Sequence, residues 1–292
     1  MKFRLFRKTT ETVKSHAKIN LSLQIVGKND EGYHLLKMVN LPLKLHDVIT
    51  VSVSDSLRDT FITCDDPSLV NGHQNLCTKA VAAMRREFKF TENFNIDIHK
   101  EIPAAAGLGG GSSNAAATMM AINSILKLNA SPEKLAEIGV KLGADIPYFF
   151  NPKPALLEGV GEIITPINTK KKYYCLIVKP KKGLSTKDVY GASDSSERLS
   201  IDTDKVIEGL AVGDDKLIAE GFGNDLYPPA KKILPEVEEL VESLKRDGYL
   251  LTGMTGSGSA VFALSDDPRK IQASKTKYEK LEYTSIATET ML

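Results

Sequence analysis

The stretch Pro103-Ala-Ala-Ala-Gly-Leu-Gly-Gly-Gly-Ser-Ser-Asn114 decides the fold, because it joins a segment with strand character to an alanine-rich helical segment. Its glycines allow backbone N–H groups to point toward one spot, since no Cβ atom is in the way. The serines and the asparagine that follow are residues that cap helices, and a helix N-terminus attracts anions. The sequence therefore predicts a loop that holds a phosphate group.

Two common phosphate-binding motifs do not fit this loop. A P-loop has Lys and then Ser or Thr after its last glycine, whereas Gly111 is followed by Ser112 and Ser113. A dinucleotide-binding fingerprint that began at Gly107 would need Gly or Ala where Ser112 stands. A flexible linker is the alternative, but linkers are seldom placed between a strand and an alanine-rich helix. The loop therefore indicates nucleotide phosphate in another fold.

The composition is that of a globular protein with little net charge. The chain has 292 residues, of which 42% are hydrophobic, and its formal net charge is +1, which argues against a broad nucleic-acid-binding surface. Its three scattered cysteines are typical of reduced thiols in a cytosolic protein. No apolar run is long enough to cross a membrane. We therefore expect a cytoplasmic protein without nucleic acid or membrane partners, whose oligomeric state stays open.

The hydrophobic pattern mixes strands and helices. Residues Ala17 to Val26 alternate between apolar and polar side chains, which predicts a half-buried strand whose polar face begins with Lys18 and Asn20. Other patterns predict strands at 47–53, 94–98 and 173–178, a strand–turn–strand unit at 250–264, and helices at 75–88, 115–126, 131–143 and 234–247. The two kinds of element do not alternate regularly, so the pattern favours an α+β fold.

A polar connection with a run of lysines, at residues 166–173, is a candidate domain boundary. We therefore predict two α+β domains, at 1–165 and 166–292, the first of which contains the glycine loop. The chain is long enough for each domain to have a core of its own. The basic start of the chain, residues 1–8, is interpreted as a short extension or a first strand.

Phosphoryl transfer needs a phosphate cradle, a metal ion, an oriented acceptor hydroxyl and stabilised charge. Ser112 and Ser113 offer hydroxyls to phosphate or to Mg²⁺, which takes few protein ligands, but no metal ligand can be assigned. Asp145 is a candidate for the group that acts on the acceptor hydroxyl, and Lys18 for the cation beside it. Local pattern alone favours a turn or cap residue at Asp145 and an ordinary surface lysine at Lys18.

Two further segments have two interpretations each. The glycine-rich segment 253–258 is typical of a hairpin turn, although it could also contact a ligand. Tyr33 and His34 lie in a polar loop, where aromatic rings either stack on a nucleotide base or pack locally. None of the five histidines has a spacing typical of metal ligands.

Taken together, these motifs resemble the superfamily of galactokinases, homoserine kinases, mevalonate kinases and phosphomevalonate kinases. The resemblance is closest to a branch that phosphorylates a cytidine diphosphate-linked sugar alcohol in the non-mevalonate isoprenoid pathway. Besides the glycine loop, the matching segments are Ala17–Leu21, Gly32–His34, Gly143–Pro147, Gly159–Glu162, Asn224–Leu226 and Thr255–Gly258. The Gly-Glu-His type segment of galactokinases and mevalonate kinases is missing, and the chain has no tryptophan for the Lys-Tyr-Trp type segment of diphosphomevalonate decarboxylases.

The resemblance implies a two-domain small-molecule kinase that uses ATP and Mg²⁺, with its active site in the cleft between the domains. It implies that Asp145 and Lys18 are the catalytic residues. The substrate-binding residues that it implies are Asn20, Tyr33, His34 and Tyr190, with Tyr33 against the cytosine ring and Tyr190 as the second aromatic residue. The ATP-binding residues that it implies are Pro103, Gly107, Leu108, Gly109, Gly110, Gly111, Ser112, Ser113 and Asn114 at the phosphates, with Asn75, Leu76 and Lys100 near the adenosine. Gly256–Gly258 would brace the loop.

The chain departs from the pattern of that branch at His16, Glu31 and Asn40–Pro42. These differences bear on the contacts with the acceptor substrate and leave the expected kinase activity intact. Two alternatives stay open, namely a kinase of another small alcohol in the same superfamily and a catalytically silent nucleotide-binding sensor on this fold.

Overall fold

The computed structural model describes residues 9–54, 59–66, 69 and 75–292, so the basic start of the chain lies outside the described residues. The strands within them are β1 Thr10–Lys28, β2 His34–Ser54, β3 Phe61–Cys64, β4 Asn93–His99, β5 Ala155–Gly159, β6 Ile163–Pro166, β7 Tyr174–Lys179, β8 Gly223–Asn224, β9 Thr252–Met254, β10 Val261–Ser265 and β11 Thr284–Glu289. The α-helices are α1 Leu76–Phe88, α2 Gly110–Leu126, α3 Pro132–Gly139, α4 Thr186–Ser193, α5 Thr203–Val212, α6 Asp215–Gly221, α7 Tyr227–Ile233, α8 Glu236–Arg246 and α9 Pro268–Lys280, and a 3-10 helix spans Pro147–Phe150.

The chain divides into two compact units, and neither is one continuous stretch. Unit 1 comprises residues up to 16, 46–102 and 110–152, and unit 2 comprises 17–45, 103–109 and 153–292. The mixture of largely antiparallel strands with helices confirms the predicted α+β class. The predicted boundary at 165/166 falls within unit 2 and stays a prediction. Among the described helices, none has the length and apolarity that a membrane span requires.

Unit 1 combines a small sheet with three packed helices. The second half of β2 pairs with β4 in antiparallel fashion, and β3 lies parallel to β4. Helix α1 contacts both α2 and α3, and its buried stripe includes Met84. The core also takes Ile96 from β4 and Ile122 from α2, both almost fully buried. The predicted strand at 94–98 and helix at 75–88 are therefore confirmed.

Unit 2 contains two groups of strands. In the first, the early half of β2 pairs with β5, which pairs with β6, while β1 pairs in parallel with β8. The second is an antiparallel sheet with the strand order β11-β7-β10-β9. Helices α8 and α9 pack against this sheet. The expected strand–turn–strand unit at 250–264 is confirmed as β9, its turn and β10.

Strand β1 differs from its prediction, because residues 17–23 are buried on both faces. The prediction of a half-buried strand is wrong for this segment, where Lys18 is only 4% exposed and Ser22 is fully buried. Buried polar groups need partners. The Ser22 hydroxyl accepts hydrogen bonds from Val39 N, at 3.3 Å, and from Thr203 Oγ1, at 3.0 Å. The polar side of this strand is therefore part of the interior of unit 2.

Helix α3 begins as predicted, because the Ser131 side chain caps it and Pro132 occupies its first turn. It ends at Gly139, four residues before the predicted end. A Cβ atom at Gly139 would lie 2.7 Å from Ile146 Cγ2, so the following turn packs directly onto the last turn of the helix. The residues up to Gly143 form that turn, and Gly143 N donates to Gly139 O at 3.1 Å.

Two glycines in helices of unit 2 give a matched test of how closely helix α5 packs on helix α6. A Cβ atom at Gly209 of α5 would lie 2.6 Å from Ile218 Cγ1 and 2.7 Å from Ile218 N of α6. Gly209→Ala should therefore destabilise the protein by about 1–3 kcal/mol through overpacking. A Cβ atom at Gly191 of α4 would meet nothing within 4 Å. Gly191→Ala should stabilise the protein by about 0.5–1 kcal/mol, since alanine favours a helix.

Urea unfolding followed by circular dichroism measures both changes in the free energy of unfolding. Equal unfolding midpoints for the two variants would contradict the close packing of α5 on α6.

Candidate functional site

The first part of the glycine loop lies in unit 2 and is held against the turn between β9 and β10. Gly107 has a φ of +74°, and a Cβ atom there would lie 2.1 Å from Thr255 O. The turn also bonds to the loop, because Ser259 N donates to Ala105 O and Ala260 N to Ala106 O. The expected bracing of the loop by this segment is confirmed. The close approach requires glycine at position 107.

Asn20 connects strand β1 to the same turn. Its Oδ1 atom accepts hydrogen bonds from Lys18 Nζ at 2.7 Å and from Gly256 N at 2.8 Å. Its Nδ2 group donates to Asn40 Oδ1 at 2.6 Å, and the residue is only 1% exposed. The backbone of Lys18 also donates to Leu108 O of the glycine loop, at 3.0 Å. The amide of Asn20 is thus engaged inside unit 2, where it orients the Lys18 ammonium.

The segment Asn224–Leu226 supports this turn from the other side. Asn224 Nδ2 donates to Met254 O at 3.0 Å and to Gly256 O at 2.9 Å. Its Oδ1 atom accepts from Leu226 N at 2.9 Å. Because all of these groups are buried, the motif has a structural role in holding the turn that braces the glycine loop.

The second part of the loop lies in unit 1 and forms the start of α2. The helix begins at Gly110, so Ser112, Ser113 and Asn114 lie within its first turns, and the prediction that they cap the helix is wrong. Ser113 is only 2% exposed, and Asn114 Oδ1 accepts a hydrogen bond from Ser15 Oγ at 2.6 Å. Ser112 is half-buried, so it is the serine of the pair whose hydroxyl is more accessible.

Asp47 holds the segment that leads into α2, and sequence analysis missed it. The side chain is fully buried, and its Oδ1 atom accepts hydrogen bonds from Glu101 N and Ile102 N, both at 2.8 Å. Its Oδ2 atom bonds to Lys100 Nζ. A Cβ atom at Gly110 would lie 3.4 Å from that ammonium group. Asp47 therefore fixes Lys100 beside the first residue of α2.

Asn75 and Leu76 lie at the start of α1. Asn75 Oδ1 accepts a hydrogen bond from Cys77 N at 2.9 Å, so this side chain caps the helix. A Cβ atom at Gly111 would lie 3.7 Å from Leu76 Cδ1. Leu76 therefore lies next to the start of α2, as Lys100 does, and unit 1 brings these two predicted ATP-binding residues together.

Asp145 lies in the turn between α3 and the 3-10 helix. It is half-buried, and none of the described residues donates a hydrogen bond to its carboxylate. Burial, and then the nearby charge of Asp145, raise the pKa of Tyr148 well above its usual value. A Cβ atom at Gly143 would lie 4.0 Å from Ser112 Oγ. The turn that carries Asp145 is therefore packed beside the accessible serine of α2.

Three predicted substrate-binding residues belong to unit 2, and the rings of two of them are in contact. Tyr33 projects from the β1–β2 turn and is 62% exposed, and Asn29 Oδ1 accepts a hydrogen bond from its backbone N–H at 2.9 Å. The rings of His34 and Tyr190 are 5.1 Å apart between centroids. His34 Nε2 also lies 2.7 Å from Asp194 Oδ1, a partner that sequence analysis missed. Asn20, the fourth predicted residue, belongs to the separate buried network described above.

The missed residues carry weak signals in the sequence. Asp47 stands at the start of a predicted strand and Asp194 just after a short helix, where isolated aspartates usually end or cap elements.

Among the described residues, no group of three His, Cys, Asp or Glu side chains could hold a metal ion. Mg²⁺ keeps several waters and needs few protein ligands, so hard oxygen donors such as Ser112 and Asp145 fit it.

Comparisons with known proteins show the family of this chain. Residues 75–151 match the GHMP kinases N terminal domain, and residues 206–280 match the GHMP kinases C terminal family. A 4-diphosphocytidyl-2-C-methyl-D-erythritol kinase of Clostridium perfringens is 36% identical over 272 residues, which cover 91% of this chain and 94% of that protein. The protein of the same name in Clostridium tetani is 37% identical over 251 residues, which cover 86% and 89%.

Solved structures are similar over the whole chain. A crystal structure of 4-(cytidine 5'-diphospho)-2C-methyl-D-erythritol kinase has a TM-score of 0.79 at 26% identity, covering 96% of this chain and 99% of that one. Homoserine kinase from Cytophaga hutchinsonii has a TM-score of 0.75 at 18% identity, covering 100% and 97%, a likeness that shows the fold alone. These findings confirm the resemblance indicated by the sequence motifs. The chain belongs to the GHMP kinase family, in which it groups with the 4-diphosphocytidyl-2-C-methyl-D-erythritol kinases.

Proposed function

We propose that this chain phosphorylates the 2-hydroxyl of 4-diphosphocytidyl-2-C-methyl-D-erythritol with ATP, in the non-mevalonate route to isoprenoid precursors. Relatives that carry this name match it over about nine-tenths of its length, which supports the choice of substrate within the family. We further propose that the enzyme works in the cytoplasm on small molecules alone, as its near-zero net charge and scattered cysteines indicate.

The observation that carries the proposed substrate is the aromatic cluster of unit 2. An exposed Tyr33 stands next in the chain to His34, whose ring packs on Tyr190 at 5.1 Å. Stacking of a base on an aromatic face is worth about 1–3 kcal/mol, and a histidine nitrogen adds a directional hydrogen bond. A cluster of this kind suits a nucleotide base, whereas mevalonate and homoserine offer no ring to stack.

The ATP phosphates are proposed to bind at the start of α2, where Gly110 and Gly111 leave the backbone N–H groups accessible. Lys100, fixed beside Gly110 by Asp47, would supply a cation there, in addition to its expected position near the adenosine. Leu76 would pack against the adenosine. Mg²⁺, when bound, would neutralise charge on the phosphates, and the Ser112 hydroxyl is the serine group suited to hold it.

Asp145 is proposed to act on the acceptor hydroxyl, either by taking its proton or by orienting it. Its carboxylate is not engaged by donors among the described residues, so it can accept a hydrogen bond from substrate. Lys18 is proposed to offset negative charge on the transferred phosphoryl group. The bond from Lys18 Nζ to Asn20 Oδ1 would hold that ammonium in one orientation, which lowers the cost of reorganisation during transfer.

A substrate panel tests this function directly. ADP release should be fast with the cytidine-linked substrate and near background with free methylerythritol, homoserine or mevalonate, because only the first engages the aromatic cluster. Preference for one of the other alcohols would favour a different kinase of the same family. Tight ATP binding without ADP release from any acceptor would favour a nucleotide sensor.

Asp145→Asn tests the catalytic assignment. We expect kcat to fall by about 10²–10⁴-fold, while the KM for ATP stays within about twofold of wild type, because the amide removes the charge and not the phosphate cradle. Asp97→Asn is the control, since Asp97 is an exposed aspartate of unit 1 whose bond from Thr63 an amide can also accept. Steady-state kinetics measure both. Near wild-type kcat in Asp145→Asn would rule out the assigned role.

Two glycine variants test the cradle. Gly107→Ala should lower both stability and ATP affinity, because its Cβ atom collides with Thr255 O and its φ is positive. The Cβ atom of Gly111→Ala would contact only Leu76 Cδ1, at an ordinary 3.7 Å, so this variant should keep wild-type stability. It should still raise the KM for ATP, because the added methyl group lies where the phosphates are proposed to bind. Thermal unfolding and ADP-release kinetics separate the effects. An unchanged KM for ATP in both variants would be incompatible with phosphate binding at this loop.

A further inference from the structure

Asp194 lies just after helix α4 and connects two residues of the first strand group in unit 2. Its Oδ1 atom lies 2.7 Å from His34 Nε2, at the start of β2, and its Oδ2 atom lies 2.7 Å from Lys28 Nζ, at the end of β1. The His34 side chain is only 13% exposed, whereas the other two are about half exposed. His34 therefore has one ring edge committed to Asp194 and one face packed on Tyr190.

The charges of this group determine which nitrogen of His34 carries a proton. Bonds from Lys28 and then from His34 lower the pKa of Asp194, so its carboxylate can only accept hydrogen bonds. The His34 Nε2 atom must therefore be the donor. In a neutral imidazole whose Nε2 atom donates, the lone pair is on Nδ1.

A lone pair on Nδ1 distinguishes two pyrimidine bases. Cytosine has an amino group at C4, which can donate to that nitrogen, whereas uracil has a carbonyl oxygen there, which would face it lone pair to lone pair. A site that is built to accept a hydrogen bond rejects a ligand that lacks the donor, because its own polar group is then left unpaired. The ring nitrogen is thus a means of choosing the base.

We propose that Asp194 is a positioning residue that fixes the protonation of His34 and so makes the site selective for a cytosine base over a uracil base. This inference rests on the proposed function, since it requires a pyrimidine nucleotide as part of the acceptor. Asp194 touches His34 and not the reacting atoms, so it acts on recognition of the substrate and not on phosphoryl transfer.

Asp194→Asn tests the proposal with little change of shape. The amide can donate to Nε2, so the proton is free to move to Nδ1. We expect the KM for the cytidine-linked substrate to rise about tenfold with kcat within about twofold, and the preference in kcat/KM over the uridine-linked analogue to fall about tenfold. Asp194→Glu, which keeps the carboxylate, should recover part of the preference.

Asp204→Asn is the matched control, because Asp204 also pairs with a lysine, in this case Lys37 of β2, at 2.8 Å on the surface of unit 2. It should leave unchanged both the KM for the cytidine-linked substrate and the preference in kcat/KM over the uridine-linked analogue. A base preference in Asp194→Asn equal to that of wild type would overturn the inference. A lower kcat together with a higher KM, with the base preference intact, would overturn it as well.

A measurement without substrate separates this inference from the proposed function. The ring nitrogens of His34 can be followed by ¹⁵N NMR near pH 8, which is above the ordinary pKa of a histidine side chain, with His34→Gln identifying the signals. The protonated nitrogen should be Nε2 in wild type, and part of the signal should move to Nδ1 in Asp194→Asn. An unchanged pattern overturns the role of Asp194, whereas failure of wild type to use the cytidine-linked substrate overturns the proposed function alone.

Discussion

The buried amide of Asn20 is the interaction on which unit 2 depends. One side chain accepts from a lysine ammonium and a backbone N–H of the β9–β10 turn, and donates to an amide of the neighbouring strand. An unpaired amide in such a place would cost about 1–3 kcal/mol, so each partner is held in place by the others. The β9–β10 turn lies so close to position 107 that only glycine fits there. The position of this turn therefore constrains the shape of the glycine loop.

The local pattern of the chain was sufficient to predict the strand, the glycine loop and the helix that follow one another from residue 94 onward. It was not sufficient to find the start of α2 at Gly110, because serine and asparagine favour caps in general and only the surrounding contacts place them inside this helix. It also missed the burial of Lys18 and Ser22. Their partners come from segments that periodicity along one strand cannot bring together.

Two aspartates show the same limit at the candidate site. Asp47 and Asp194 are single carboxylates without a motif, and each acquires its role from a backbone or side-chain partner far along the chain. The resemblance to a kinase family selected Tyr33, His34 and Tyr190, and two of these rings are in contact in unit 2. Neither the resemblance nor the pattern indicated the carboxylates that contact Lys100 and His34. Such contacts depend on the tertiary structure, which brings together residues that are far apart in the sequence.

The division of the chain has a practical consequence for work with fragments. Each unit is assembled from three separated stretches, and the glycine loop itself changes unit between Gly109 and Gly110. No single truncation therefore yields either unit whole, and a proteolytic cut within the loop would leave each unit with residues on both fragments. Dissection of this enzyme calls for rearranged connectivity, in which new linkers join the three stretches of one unit directly, in place of the shortened chains that suffice for proteins with consecutive domains.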